Sequence, residues 1–191
     1  MIIYETKSEL LTRKILVHVA QHGLSDLTSF SKLSKSIKVG RSLLYFYFKH
    51  ETDIIDALYE VFTKEITYHY NYLNERQFNF DEYLNYLVDM KDSYFMMLEC
   101  IKVQDQRQEF RPFGDYAFNT IDRYAQKVFI QKYQLDALPQ ERLDYMYNSL
   151  RCYWFKCSGA YEDWSYNKVS ELREELDEFI EGLKSDFATI V

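Results

Sequence analysis

The chain has 191 residues, of which 47% are hydrophobic and 18% aromatic, while glycine and proline number only five and two. This composition favours helices and argues against long loops and turn-rich sheets. The net charge is −7. The lack of a long apolar run and of an amino-terminal signal pattern predicts a cytoplasmic protein with no membrane partner.

The three cysteines give no sign of a disulfide framework or a zinc site. Cys100, Cys152 and Cys157 are odd in number and lack Cys-x-x-Cys spacing, which both kinds of site would ordinarily show. We therefore predict three small core residues.

The first elements in chain order have the proportions of a helix-turn-helix unit. One helix is expected to end at Gly23 and a second to open near Thr28 or Ser29. Gly40 stands where the third helix begins, because a residue without a Cβ tolerates a sharp entry. The pattern predicts a short helix, a tight turn and a second short helix that share one apolar seam. The seam residues are Leu33, Ile37, Val39, Leu44 and Phe48.

Apolar stripes predict further helices through the rest of the chain, giving an all-α fold of about nine helices. The expected elements are a fourth helix over 51–73, a fifth capped by Asn79 or Asp81 and continuing to Leu98, a short helix or connection over 104–112, a helix over 113–133, a helix from Pro139 to about Trp164, and a last helix capped by Asn167 or Ser170. Residues 1–50, which contain the helix-turn-helix pattern, and residues 51–191 are expected to form two helical domains.

Charge is distributed unevenly along the chain. Residues 1–50 contain eight Lys or Arg and three Asp or Glu, whereas residues 51–191 contain 15 basic and 27 acidic residues. A basic segment on an acidic body indicates an end that faces nucleic acid. The alternative is that a window of this length drifts by a few charges without functional meaning.

Two adjoining segments resemble one family of regulators. The run VGRSLLYFYFK at 39–49 and the helix start ETDII at 51–55 are similar to the recognition helix and fourth-helix start of TetR-type bacterial regulators. The likeness covers the first quarter to third of the chain. It departs from the family at 37–40, where Ile-Lys-Val-Gly replaces the common Ala-Gly-Val-Ser. At Glu51 the family often carries a phosphate-binding Lys, and an acidic side chain there is expected to oppose a phosphate.

The resemblance implies that residues 1–50 form a helix-turn-helix DNA-binding domain and residues 51–191 a helical regulatory and dimerisation domain. It also implies contact with double-stranded DNA through the third helix. Arg41 is the expected base contact, since its fork can bond two acceptors on guanine. The remaining expected contacts are Thr28, Ser29, Ser42, Tyr45, Tyr47 and Lys49, through hydroxyls and charge to bases or phosphates. Two alternatives stay open, namely that Tyr45 packs in the core and that Arg41 is only solvated.

The carboxyl-terminal helices resemble the dimerisation region of TetR-type proteins. Ser158, Gly159 and Ala160, expected within one helix, would let a neighbouring backbone approach closely. A homodimer would place two recognition helices on a pseudo-palindromic operator. Gly159 could instead mark a kink.

Aromatic residues in the middle of the chain could line a pocket for a small apolar or aromatic effector. TetR-like regulators often carry an effector site in this region, although at helical spacing these residues also suit an ordinary core. The candidates are Tyr86, Tyr94, Phe95, Met97, Phe113 and Tyr116.

No catalytic or cofactor motif is recognisable, so we expect a regulator rather than an enzyme. His18 and His22 stand four apart and could share a metal, but the sequence supplies no third ligand, and we predict none. The expected function is a TetR-like repressor, released from DNA by an effector. The alternative is a coregulator or protein-interaction factor of the same fold that has lost DNA binding, and a helical-bundle enzyme is a third, more distant class.

Overall fold

The computed structural model describes residues 6–75, 80–157 and 159–188. These residues form helices joined by short turns, with no strand among them, so the predicted all-α class is confirmed. The α-helices are α1 (Lys7–His22), α2 (Phe30–Ser36), α3 (Arg41–Tyr47), α4 (Glu51–Glu75), α5 (Phe80–Asp89), α6 (Lys91–Val103), α7 (Arg111–Tyr116), α8 (Arg123–Tyr133), α9 (Gln140–Cys157) and α10 (Tyr166–Ala188).

Shorter helical pieces connect several of these elements. Residues Ala117–Asp122 are π-helical and join α7 to α8, so that one helical run extends over 111–133. Single 3-10 turns lie at Ser25–Thr28, Gln108–Phe110, Leu135–Ala137 and Tyr161–Asp163. With α7 and α8 taken as one rod, the described residues contain nine helical rods, in agreement with the expected number and with the helix expected over 113–133.

The chain divides into two compact units. The first comprises residues 1–76 and 90–120, and the second residues 77–89 and 121–191. The domain boundary expected at residue 50 falls inside the first unit and stays a prediction. No described helix has both the length and the apolar character needed to cross a membrane.

The first unit is built around α1, which packs against α4 and α6. The aromatic part of its core centres on Phe113, which is fully buried. The Phe113 ring lies 5.7 Å from that of Phe62 and 5.3 Å, edge to face, from that of Tyr59. Burying a side chain of this size stabilises the fold by about 1.5–3 kcal/mol, so the start of α7 is tied to α4.

A buried polar network joins the same three helices. The Glu65 side chain is only 4% exposed, and its carboxylate lies 3.0 Å from Arg13 Nε and accepts a hydrogen bond from Ser93 Oγ. Arg13 Nη2 also lies 2.8 Å from the Asp92 carboxylate. A buried carboxylate is costly unless it is paired and hydrogen-bonded, and residues from α1 and α6 meet that requirement for α4.

The second unit is organised around Trp164, which is buried against α5 and α9. Its Nε1 donates to the Leu87 carbonyl at 3.0 Å, and its ring meets Trp154 edge to face at 5.8 Å. Nearby, the Tyr147 hydroxyl donates to the Asp122 carboxylate at 2.8 Å. Burial and this bond together raise the pKa of Tyr147, and the phenol therefore remains a donor.

Two of the expected helices are shorter in the structure. The helix expected to run from about residue 81 to Leu98 is broken at Met90 into α5 and α6, because the apolar faces of these helices are buried in different units. The helix expected to reach Trp164 ends at Cys157, since Gly159 adopts φ 70° and the chain then turns so that Trp164 is buried. The close helix contact expected at Gly159 and Ala160 is therefore wrong as stated, and Ser158 lies outside the described residues.

Two smaller expectations also need correction. The last helix is capped by Ser165, whose Oγ accepts from the Lys168 N–H at 3.3 Å, so that neither Asn167 nor Ser170 is the cap. Of the cysteines, Cys100 is buried as expected, whereas Cys152 is exposed because it lies on the outer face of α9. At the start of α5, Asn79 falls outside the described residues.

The first prediction concerns the Glu65 network. Arg13→Met should lower the free energy of unfolding by about 3 kcal/mol, because it leaves a buried carboxylate without its cation. The double variant Arg13→Met/Glu65→Leu should recover most of that loss. Lys64→Met, which breaks the more exposed Lys64–Glu9 pair, should cost less than about 1 kcal/mol. Urea unfolding followed by circular dichroism measures all three, and equal losses for the two single variants would contradict the network's role.

Candidate functional site

The segment from Ser29 to Phe48 folds as two seven-residue helices joined by a short turn. Ser29 caps α2 by accepting from the Lys32 N–H at 3.4 Å. Leu33 and Leu44 are fully buried, and Phe48 nearly so, which pins α2 and α3 to the rest of the first unit. The two remaining seam residues, Ile37 and Val39, are half-buried. Two short helices joined by a turn therefore lie where the sequence predicts them. Burial of Leu33, Leu44 and Phe48 anchors them to the first unit.

The turn between α2 and α3 does not use its glycine as expected. Gly40 has φ −64° and ψ 133°, a conformation open to any residue. The left-handed residue is Lys38, with φ 54°, and the Val39 N–H closes the turn by donating to the Ser34 carbonyl at 3.0 Å. Lys38 thereby stands at the outermost point of the turn with its side chain exposed.

An open groove of about 330 Å³ runs between the start of α2 and the outer face of α3. It brings together five of the seven residues expected to contact DNA: Thr28, Ser29, Arg41, Tyr45 and Lys49. Its other lining residues are Leu27, Phe30, Ser31, His50 and Glu51.

Tyr45 is held in this groove by contacts on both sides. Its ring centroid lies 5.0 Å from that of Phe30, and Arg41 Nη2 donates to its hydroxyl at 3.3 Å. Half of the side chain is nevertheless exposed. Tyr45 is therefore a surface residue that packs on one side against Phe30 and not a core residue, and the exposed Arg41 is hydrogen-bonded to it.

The other two expected contacts lie away from the groove. Ser42 is exposed on α3, while Tyr47 is half-buried, with ring contacts to Phe46 at 4.9 Å and to Phe48 at 6.5 Å. Sequence reasoning missed Phe46 and Leu43, which are 77% and 42% exposed. The helical period could have identified Phe46, because it falls on the side of α3 opposite the seam residue Leu44.

The surface of α2 and α3 is strongly basic. The segment 29–50 contains five Lys or Arg and no Asp or Glu, in a chain of net charge −7. All five side chains are exposed, and none of them forms an ion pair with any residue that the structure describes. They are Lys32, Lys35, Lys38, Arg41 and Lys49.

The acidic residue just before this segment is engaged locally. The Asp26 carboxylate accepts from Ser36 Oγ at 2.7 Å and lies 3.1 Å from His18 Nε2. The Ser36 bond, followed by the His18 bond, lowers the pKa of Asp26 below its usual value of 3.8. His18 also lies 4.9 Å, ring to ring, from His22, but the part of the chain that is described holds no group of three or more metal-ligating side chains.

The acidic residues that follow the basic segment are engaged as well. Asp53 caps α4 by accepting from the backbone N–H groups of Lys49 at 2.7 Å and His50 at 3.0 Å, and these bonds lower the pKa of Asp53. Glu51 lies 2.8 Å from Arg107 Nη2, which also contacts Glu109 at 2.7 Å. Burial disfavours the Arg107 charge, yet the bonds to Glu51 and Glu109 outweigh it and raise the pKa of Arg107. Glu51 thus lines the groove beside a cation that it shares with Glu109.

The expected effector residues occupy core positions in both units. Tyr94, Phe95, Met97 and Phe113 are buried in the first unit, and Tyr116 is half-buried there with its hydroxyl 3.3 Å from Thr67 Oγ1. Tyr86 belongs to the second unit and is half-buried. Neither the groove beside α3 nor a second groove lined by Lys132, Tyr133 and Asp177 includes any of these six residues. The effector pocket stays a prediction.

Comparison of the chain with protein-family models, with curated proteins and with solved structures finds no match. Function is therefore inferred from the geometry and charge of the surface formed by α2 and α3.

The second prediction concerns Asp26. Its pKa is lowered in the folded protein, so its carboxylate stabilises the fold fully above the unfolded value of 3.8, and that contribution is lost as pH falls through the lower folded value. Asp26→Asn should cost about 1 kcal/mol at neutral pH. The difference between parent and variant should shrink below pH 3.8.

Urea unfolding at a series of pH values measures this difference. The control is Asp56→Asn, which removes the same charge from an exposed position on α4 and should change stability little at any pH. A parent–variant difference for Asp26→Asn that persists undiminished in acid would show that the charge of Asp26 is not what matters.

Proposed function

We propose that the protein is a DNA-binding transcriptional regulator of the TetR type, which acts as a repressor by occupying promoter DNA. The observation that carries the proposal is the exposed, unpaired basic surface of 29–50 on a chain of net charge −7. Exposed Lys and Arg clustered in one short helical segment are the electrostatic footprint of duplex binding, because phosphate contacts release condensed counterions. The Glu51–Arg107 ion pair supports it, since the guanidinium offsets the one carboxylate that lines the groove.

In the proposed complex, α3 enters the major groove and α2 crosses the backbone, the arrangement of helix-turn-helix proteins. The groove on the protein then faces the DNA phosphates, because it presents three hydroxyls and an ammonium group within one cleft. These groups belong to Thr28, Ser29, Tyr45 and Lys49. Arg41 stands at the first position of α3, where it can reach a guanine edge or the adjacent phosphate.

We propose further that the protein binds DNA as a homodimer through α9. Tyr145 and Phe155 are 57% and 52% exposed on this helix, and Asn148 and Cys152 lie exposed between them at spacings of three and four residues. This stripe offers apolar surface to a second copy. The exposed face of α10 carries Glu171, Glu174, Glu178 and Glu181, whose like charges disfavour close approach across a two-fold axis.

Release by a small apolar or aromatic effector completes the proposal. The aromatic residues of the first unit support this part of the proposal, because several of them carry hydroxyl groups near the core, as Tyr116 does beside Thr67. A site of that kind combines apolar area with a few polar groups that fix orientation.

The third prediction tests duplex binding and the expected base contact. Lys49→Ala should weaken binding to all duplexes and reduce the slope of log K against log salt by about 0.9, the value for one lost phosphate contact. Arg41→Ala should cost about 1–3 kcal/mol on the preferred sequence and less on random DNA. Fluorescence anisotropy with the preferred and a scrambled duplex, over a range of salt concentrations, measures both.

Lys127→Ala is the matched control, because it removes another exposed Lys from α8, outside both the basic segment and the proposed dimer interface, and should leave affinity and slope unchanged. Equal losses on both duplexes for Arg41→Ala would move that residue to the backbone contacts. If the parent protein binds no duplex at low salt, the regulator proposal fails in favour of a coregulator that acts through proteins.

The fourth prediction tests assembly. Light scattering should report twice the chain mass of 23.2 kDa, and Phe155→Glu should shift the protein towards the monomer by placing a charge within the proposed interface. Glu174→Gln on α10, which lies outside that interface, should leave the mass unchanged. A monomeric parent protein at micromolar concentration would contradict the homodimer.

A further inference from the structure

Two large apolar side chains stand exposed on a helix of only seven residues. Phe46 is 77% and Leu43 42% exposed, although α3 lies within a segment that is otherwise basic and polar at its surface. Phe46 is the most exposed of the large hydrophobic residues that the structure describes. Solvated apolar groups of this size are costly, which points to a partner for this face of the helix.

The exposed surface of α3 has two distinct faces. Arg41 and Tyr45 are four residues apart on α3 and line the groove together with Lys49, which follows the helix. Leu43 and Phe46 are three residues apart, so they lie side by side on a different face. The groove-lining face presents charged groups and a hydroxyl group, whereas the face formed by Leu43 and Phe46 is apolar.

We propose that Leu43 and Phe46 recognise the C5-methyl groups of thymines in the major groove, which makes them residues that determine the sequence preference of this protein. This inference rests on the proposed DNA-binding function and deepens it. Thymine carries the one apolar group on the major-groove edges of the bases, and side chains such as Phe read it by direct contact. The face of α3 that lines the protein groove positions the helix by contacting phosphates. The face formed by Leu43 and Phe46 recognises A·T pairs.

Charge complementarity selects DNA as the occupant of this face. Lys38 and Lys49 lie exposed just before and just after α3, and Arg41 lies exposed at its first position. Within the described residues none of these three side chains is neutralised by an ion pair. Leu43 and Phe46 thus form an apolar patch with cations nearby. This arrangement is complementary to the DNA major groove, where thymine methyl groups lie between two rows of phosphates.

The test replaces thymine by uracil, which removes the methyl group and leaves base pairing unchanged. Duplexes of about 30 base pairs, long enough for two half-sites one turn apart, are first enriched from a random pool with the parent protein. Each thymine of the enriched sequence is then replaced singly by uracil. Uracil at the contacted positions should weaken binding about fourfold per methyl group, the equivalent of roughly 0.8 kcal/mol per buried carbon.

Side-chain variants assign the effect to its residues. Phe46→Ala and Leu43→Ala should each abolish the difference between thymine and uracil at one position, while circular dichroism shows an intact fold. Phe118→Ala, which removes another exposed aromatic ring from the first unit, should leave every thymine–uracil difference in place. Abolition by Phe46→Ala or Leu43→Ala, with retention by Phe118→Ala, is the result expected.

The failures are distinguishable. If the parent protein enriches no sequence and binds no duplex at low salt, the proposed function is overturned together with this inference. If it binds the enriched duplex with equal affinity after every uracil replacement, DNA binding stands and the methyl contact is wrong. If Phe46→Ala halves the mass in light scattering and leaves the thymine–uracil differences unchanged, the apolar face joins two copies of the chain instead.

Discussion

Burial of Leu33, Leu44 and Phe48 is the constraint on which the proposed interface depends. These side chains anchor α2 and α3 to the first unit, and a helix of seven residues has too few hydrogen bonds of its own to persist without such packing. Once Leu44 points inward, the period of the helix determines the direction of every other side chain on α3. Arg41 and Tyr45 are thereby directed to the groove and Leu43 and Phe46 to solvent, while Lys49 lines the groove from the segment that follows α3.

The acidic residues on either side of the basic segment also shape the charge of this surface. The basic segment is bounded by Asp26 on one side and by Glu51 and Asp53 on the other. Asp26 accepts from Ser36 and lies beside His18, and Glu51 pairs with Arg107. Asp53 accepts from the backbone N–H groups that precede α4. Among the described residues, neither Asp26 nor Asp53 forms an ion pair with a neighbouring lysine. The cations are instead left exposed, and a surface that attracts a polyanion results.

Several elements could be predicted because their signals are local. Three helix boundaries follow from residues within one helical turn of each. They are the end of α1 at Gly23, the Ser29 cap of α2 and the start of α4 at Glu51. The breaks at Met90 and after Cys157 could not be predicted in this way. At Met90 the apolar pattern continues unbroken, and only the division of the core between two units separates α5 from α6. After Cys157 the burial of Trp164, through its bond to the Leu87 carbonyl, draws the chain out of the helix.

The sequence by itself determined the all-α class, the concentration of positive charge near the amino terminus and the residue types available for contact, because composition and short-range periodicity encode these properties directly. Only the tertiary structure decided which of those residues share a surface. It placed Thr28 and Ser29 beside Arg41, Tyr45 and Lys49, paired Glu51 with Arg107 across 56 positions of sequence, and left Phe46 in solvent. The reason is physical: contacts between residues distant in sequence depend on how helices pack around a common core, and no local pattern records that packing.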